Sequence, residues 1–360
     1  MKLKIPENIQ KIIPYKAGKP IEELKREMGL NRIIKLASNE NPLGPSPMAL
    51  KAISQFKKSI FLYPDGNGYD LVLALAERLK VFPSQVALGN GSNELIELLT
   101  RAFLLPGDEV IMADLTFSLY SMMTEVAHAK VVTVPLKADR HDLGTMAAKI
   151  TDRTRMIFIC NPNNPTGTLL PRHEIMEFIN QVSSDIVLVF DHAYEEYVTD
   201  ATYSNLIGEI NRHENIVILR TFSKLYGLAG LRIGYGIGSE KMIETLNKVR
   251  QPFNTNLLSQ KAALAALGDE FHLRASRQNN IDGKNYLYPC FDEMRIKYVP
   301  TETNFIFFEV EKGPELFDWM LKEGIIIRHI KGKQMRVTIG KPDENKKFTL
   351  KLKQFLRLQT

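Results

Sequence analysis

The sequence predicts an α/β fold: a large domain around a mostly parallel central sheet with helices on both faces, a smaller α+β domain at the C-terminal end, and an N-terminal arm. Two patterns carry that expectation. Runs at 110–113, 131–135, 156–160, 186–190 and 216–219 are short, nearly all apolar and rich in β-branched residues. They lack period-two alternation, which is how strands covered on both faces read. Between them lie helical patterns such as 94–105, with Leu95, Leu98, Leu99 and Phe103 at helical spacing. Strands alternating with helices make parallel neighbours, because a parallel connection needs a crossover long enough to hold a helix.

Taken in order, residues 1–30 form the arm. Ile12-Ile13-Pro14-Tyr15 is an apolar knot, and 21–28 reads as a short charged helix ending before Gly29. The passage Asn39-Glu40-Asn41-Pro42-Leu43-Gly44-Pro45-Ser46-Pro47 holds too many breakers for a helix or a central strand. The large domain is expected over 31–265. After about Leu267 the texture changes. A long helical stretch at 274–294 and strand-like runs at 304–309 and 332–340 predict a separate, smaller sheet within 266–360. In the tail, 341–357, Phe348, Leu350, Leu352 and Phe355 alternate with lysines, as in an amphipathic closing helix.

Composition narrows the function classes. With 44% hydrophobic and 24% charged residues over 360 positions, the chain has ample material for a globular core. No apolar stretch approaches the roughly 18 residues of a membrane span, and the first residues carry no apolar signal core. Cys160 and Cys290 alone make neither a disulfide framework nor a zinc ligand set. No metal is expected, and a reducing, cytoplasmic location is. The net charge of +6 is spread rather than blocked, which suits an anionic small molecule as well as nucleic acid. Only 30 residues precede the large domain, too few for a winged helix, and no basic helix stands out. A nucleic-acid partner is therefore not expected.

Five segments carry chemistry. Thr221-Phe222-Ser223-Lys224, with Arg232 eight residues on, follows an apolar strand. Hydroxyls and an arginine can grip a phosphate while a lysine acts as amine nucleophile. Asp191 leaves the strand 186–190 at its carboxyl end, where open α/β sheets place ligands. A carboxylate there needs a cation or a donor to offset desolvation. Asn161-Pro162-Asn163-Asn164-Pro165-Thr166-Gly167 follows another buried strand, its breakers holding Asn164 rigidly. Gly89-Asn90-Gly91-Ser92-Asn93 opens a helix and can cradle phosphate on backbone N–H groups. It lacks both the P-loop and the dinucleotide fingerprints. Last, Arg328 and Arg336 each adjoin a strand-like run and can converge on one anion. Singly, these segments are equally well read as a solvated loop, a helix cap, a turn, or strand-end charges.

Their coexistence in this order, over nearly the whole chain, resembles the fold-type I aminotransferases, which use pyridoxal 5′-phosphate. Ile13-Pro14-Tyr15, Leu36-Ala37-Ser38-Asn39-Glu40-Asn41-Pro42-Leu43-Gly44-Pro45, Tyr63-Pro64-Asp65 and the Arg328/Arg336 pair are similar to the histidinol-phosphate branch of that family. The resemblance implies that Lys224 holds the cofactor through its amine and shuttles the catalytic proton. It implies that Asp191 pairs with the pyridine nitrogen, and that Asn164 and Tyr194 bond the 3′ oxygen. Phe117, where many relatives have tyrosine, would stack on the ring, which needs only a π face. Ser92, Asn93, Thr221, Ser223 and Arg232 would hold the cofactor phosphate, joined by Tyr63 from the other subunit of a homodimer. Tyr15, Asn39, Arg328 and Arg336 would bind substrate: histidinol phosphate in one half of a ping-pong exchange, glutamate and 2-oxoglutarate in the other. His192, where many relatives have glutamate, would support Asp191 from behind. The same frame also suits an aromatic amino-acid aminotransferase or a phosphothreonine-decarboxylase-like enzyme. A transcription regulator carrying such a domain lacks its DNA-binding module here.

Overall fold

The computed structural model describes residues 3–14, 18–30, 32–203 and 205–358. In chain order the strands are β1 (Ile34–Lys35), β2 (Val86–Gly89), β3 (Glu109–Ala113), β4 (Lys130–Val134), β5 (Thr154–Cys160), β6 (Val187–Asp191) and β7 (Ile216–Thr221). They continue with β8 (Gly234–Gly238), β9 (Tyr298–Val299), β10 (Phe305–Glu309), β11 (Ile325–Ile326), β12 (Arg328–Lys331) and β13 (Gln334–Thr338). A seven-stranded sheet runs β2-β8-β7-β6-β5-β3-β4, and only β8 lies antiparallel to its neighbours. The five strands expected from apolar runs all stand in it, within one to two residues of their predicted ends.

The apolar strands work because both faces are covered. Ile157, Ile159, Leu188, Phe190, Ile216 and Ile218 point into one core, and Met156, Phe158, Val187, Val189, Val217 and Leu219 into another. Alternate residues of each strand thus feed opposite cores, as the pleat dictates. β2 and β8 were not among the predicted strands. β8 reads Gly-Tyr-Gly-Ile-Gly, which has little strand propensity. A side chain at Gly234 would strike the backbone at Gly91 and Ser92, so this position is glycine for close approach.

A second sheet, β12-β13-β10-β9, is antiparallel throughout. The helices Glu270–Glu293 and Pro342–Arg357 pack on it through Leu287, Phe291, Phe348 and Leu352. Glu270–Glu293 also places Leu273 in the core of the large sheet, so one continuous helix joins the two cores. The N-terminal segment behaves differently from its position in the sequence. β1 pairs in parallel with β11, Ile34 and Leu36 lie in the small-sheet core, and Leu24 packs with Ala37, Leu321 and Ile326. A boundary at residue 31 therefore separates residues that share one core. The physical reason is a pairing across almost the whole chain, which local periodicity does not register.

Candidate active site

The parallel strands bring their carboxyl ends together, and the candidate residues collect there. Cys160 ends β5, Asp191 ends β6 and Thr221 ends β7. With the start of the helix Ser92–Phe103 they line a cleft of about 880 Å³, counting its open mouth. That helix begins two residues earlier than its apolar pattern, so Ser92 and Asn93 in its first turn border the cleft with donors the helix itself leaves unused. Gly91 has φ +74°, and a side chain there would meet the Arg232 guanidinium. Arg232 itself, at φ 54°, donates to the Ala229 carbonyl at 3.1 Å and reaches Ser223 Oγ at 3.4 Å. The Ser223 amide in turn donates to Thr221 Oγ1 at 3.0 Å. Glycine, hydroxyls, helix start and arginine make an anion cradle at this end.

Lys224 stands in the middle. Its Nζ donates to the Ser38 carbonyl at 3.2 Å and lies 5.5 Å from the centroid of the Tyr194 ring. Removal from bulk water, then the charges of Arg336 and Arg232, bring its pKa down to about 8, against the opposing pull of Glu40 and Asp191. An amine that is partly neutral near pH 8 is a competent nucleophile and base. In cofactor-free protein, labelling of Lys224 by an amine-specific reagent should rise with pH to a midpoint near 8. A midpoint at the ordinary lysine value would mean that the cleft does not activate it.

Deepest lies Asp191, 3% exposed. Burial pushes its carboxyl pKa up, opposed by a Tyr120 hydroxyl bond to Oδ2 (2.6 Å) and an Ala193 amide bond to Oδ1 (3.1 Å). Tyr194 is buried as well, and its hydroxyl oxygen accepts from Asn39 Nδ2 at 2.8 Å. Its own proton is thereby left to donate elsewhere. Asn164 Oδ1 accepts from Arg336 Nη1 at 2.6 Å, which leaves the Asn164 amide nitrogen as the other donor on this wall. Arg336 also donates to the Ala37 carbonyl at 2.6 Å and stacks over Phe305. Phe117 lines the cleft opposite, half-buried. An anion cradle, a buried carboxylate, two hydrogen-bond donors, an aromatic face and an amine together fit a flat, phosphorylated ring with one basic nitrogen.

The remaining expected residues are Asn39, Arg328, Tyr63, Tyr15 and His192. Asn39 lines the cleft, but its polar groups are engaged by protein: Nδ2 with Tyr194, Oδ1 and the amide with Thr338 Oγ1, the carbonyl with Asn304. It braces Tyr194, and these bonds use one of its two Nδ2 hydrogens and one Oδ1 lone pair. Arg328 is half-buried on β12 outside the cleft lining, yet it sits directly opposite Arg336 in the antiparallel ladder, hence on the same sheet face. Tyr63 is 82% exposed and stacks on Phe253, away from the cleft of its own subunit. Tyr15 lies outside the described residues. His192 is fully buried behind Asp191, with Nδ1 3.1 Å from Tyr203 Oη and 3.3 Å from Glu195 Oε2. Sequence reasoning missed Tyr120, Ser38 and Glu40. Glu40 lines the cleft and pairs with Lys35 at 2.6 Å, and the three-residue step from Phe117 to Tyr120 was the available signal for the first.

Residues 31–351 match the family model described as aminotransferase class I and II. A histidinol-phosphate aminotransferase from Moorella thermoacetica is 48% identical over 98% of this chain and 93% of its own length. One from Caldicellulosiruptor saccharolyticus is 45% identical over 97% and 99%. Among solved structures, the histidinol-phosphate aminotransferase from Sinorhizobium meliloti, in complex with pyridoxal-5′-phosphate, superposes with a TM-score of 0.93 at 25% identity, covering 100% of this chain and 99% of that one.

Proposed function

This chain belongs to the aminotransferase class I and II family, and on that premise we propose that its cleft binds pyridoxal 5′-phosphate and exchanges an amino group between histidinol phosphate and 2-oxoglutarate. When bound, the cofactor supplies an aldehyde for the amino group and a ring that accepts electrons. Arg232, Ser92, Asn93, Thr221 and Ser223 hold its phosphate. Asp191 would keep a proton on the ring nitrogen, Tyr194 and Asn164 would donate to the 3′ oxygen, and Phe117 would cover one ring face. Lys224 would hold the cofactor at its aldehyde end and would move the proton at the substrate's Cα. Half-neutral near pH 8, its Nζ can take that proton and return it without a second base.

One observation carries the substrate reading. Arg336 lines the cleft bonded to Asn164 and Ala37, partners distinct from those of Arg232, and Arg328 lies opposite it in register. A second anion end backed by two guanidinium groups suits a phosphate dianion better than a carboxylate alone. Glutamate would offer its α-carboxylate to Arg336, so one pocket serves both halves of a ping-pong exchange. The test is turnover of histidinol phosphate and of phenylalanine by the purified holoenzyme with 2-oxoglutarate. A specificity constant for phenylalanine at or above that for histidinol phosphate would favour the aromatic aminotransferase. Arg328→Ala should lower the constant for histidinol phosphate by roughly ten- to a hundredfold, at about 1.5–3 kcal/mol per charge-assisted bond. Glutamate should lose less, and cofactor absorbance should not change. Equal losses for both substrates would deny Arg328 a part in recognising phosphate.

The working unit in this reading is a homodimer. Ile60, Phe61, Leu62, Tyr63 and Phe253 form an exposed apolar patch of the kind that marks an interface. Tyr63 in it would reach the cofactor phosphate of the other subunit. Paired substitutions Phe61→Glu and Leu62→Glu should yield a monomer by sedimentation, with weakened cofactor retention. A wild-type monomer of full activity would remove the role of Tyr63. No helix among the described residues is long and apolar enough to cross a membrane. The free thiols Cys160 and Cys290 support a reducing, cytoplasmic setting.

A further inference from the structure

The 2.6 Å bond to Asp191 comes from a residue to which the reading above gives no role. Tyr120 is the second residue of the helix Leu119–Val126 and is fully buried. Its ring lies flat on Phe158 of β5, with centroids 4.5 Å apart and planes within 5°, and meets Phe117 edge-on at 5.6 Å. Packing on these two rings, rather than the hydrogen bond, sets where the hydroxyl stands. The proton direction follows from burial and from the neighbouring Asp191, which both hold the phenol well above its ordinary pKa. It therefore stays a donor. A donor to a carboxylate oxygen favours the ionised form of that carboxylate.

We infer that Tyr120 is a positioning residue: by donating to Oδ2 it aims the Asp191 carboxylate at the cleft and keeps it charged, so that Asp191 can hold a proton on the cofactor's ring nitrogen. The inference rests on the assignment of Asp191 made above. The Ala193 amide is the other donor to this carboxylate, while Lys224 and His192 act on it by charge and Cys160 adjoins the phenol. Without the hydroxyl, Oδ2 loses its donor and the carboxyl titrates higher.

Tyr120→Phe removes one atom and keeps both ring contacts. In cofactor-free protein labelled with 13C at the Asp carboxyl carbon, with the resonance assigned through Asp191→Asn, the Asp191 midpoint should rise by about one pH unit or more. In the holoenzyme kcat should fall roughly ten- to a hundredfold with KM nearly unchanged. Replacing Tyr120 with 3,5-difluorotyrosine, a more acidic phenol of the same shape, should move the midpoint down. That arm decides the matter if the phenylalanine variant fails to fold. An Asp191 midpoint unmoved in either variant overturns the inference and makes Tyr120 a packing residue. If Asp191→Asn turns over near the wild-type rate, the assignment of Asp191 fails, and with it the purpose given to Tyr120, a result distinct from an unmoved midpoint.

Discussion

Lys224→Ala protein is expected to fold, to keep the cofactor through its phosphate contacts, and to lose transamination by at least about a thousandfold. The loss follows from position. Lys224 Nζ is the amine in the middle of the cleft, and the cations near it, Arg232 and Arg336, are held by Ala229, Ser223, Asn164 and Ala37. Arginine does not give up its proton in proteins, so neither can stand in as a base. Single-turnover absorbance changes with histidinol phosphate and with glutamate measure the loss. Borohydride treatment of the wild-type holoenzyme should fix the cofactor to one peptide, the one containing Lys224. A label on a different lysine would remove the central assignment.

Asp191→Asn should keep the fold and much of the cofactor while slowing exchange of the substrate's Cα proton by about a hundredfold or more. An amide is neutral, so it cannot sustain a proton on a ring nitrogen. It also suits the cage poorly. Tyr120 and Ala193 both donate to Asp191, one to each oxygen, and an asparagine offers an acceptor to only one of them. Deuterium uptake at Cα by mass spectrometry reads the step directly. Exchange at the wild-type rate would mean that Asp191 does not support the ring electronically.

Much of this was legible in the sequence, for a physical reason. Strands buried on both faces are uniformly apolar, so five of the seven large-sheet strands stand where their runs predict. Residues at or just past the ends of those strands, Asn164, Asp191, Thr221 and Lys224, meet in one cleft because parallel strands deliver their ends to one edge. What was not legible depends on approach between distant segments. β8 needs glycine at Gly234 because the start of the helix Ser92–Phe103 presses on it there, and no local pattern encodes that. Asn39, an expected substrate ligand, is also bonded to Tyr194, Thr338 and Asn304, partners that lie far off in the chain. Tyr120 drew no notice in the sequence: its ring packs in the core, and only its hydroxyl bond to Asp191 ties it to the site.

The parallel pairing of Ile34 and Lys35 with Ile325 and Ile326 has a consequence for how the protein is born. On the ribosome β1 emerges early, and its partner is made about 290 residues later, roughly 15–60 s at ordinary elongation rates. Through that interval Leu24, Ile34 and Leu36 have no core to enter, since their neighbours Leu321, Ile326 and Phe348 do not yet exist. The seven-stranded sheet, complete by Gly238, has all its strands in hand well before the chain ends. The anion end waits longer: Arg336, which bonds the Ala37 carbonyl, is made about a hundred residues after Gly238. A nascent chain therefore carries Leu24, Ile34 and Leu36 unpartnered through that interval, and a chain cut before Arg336 has a sheet with an unfinished cleft.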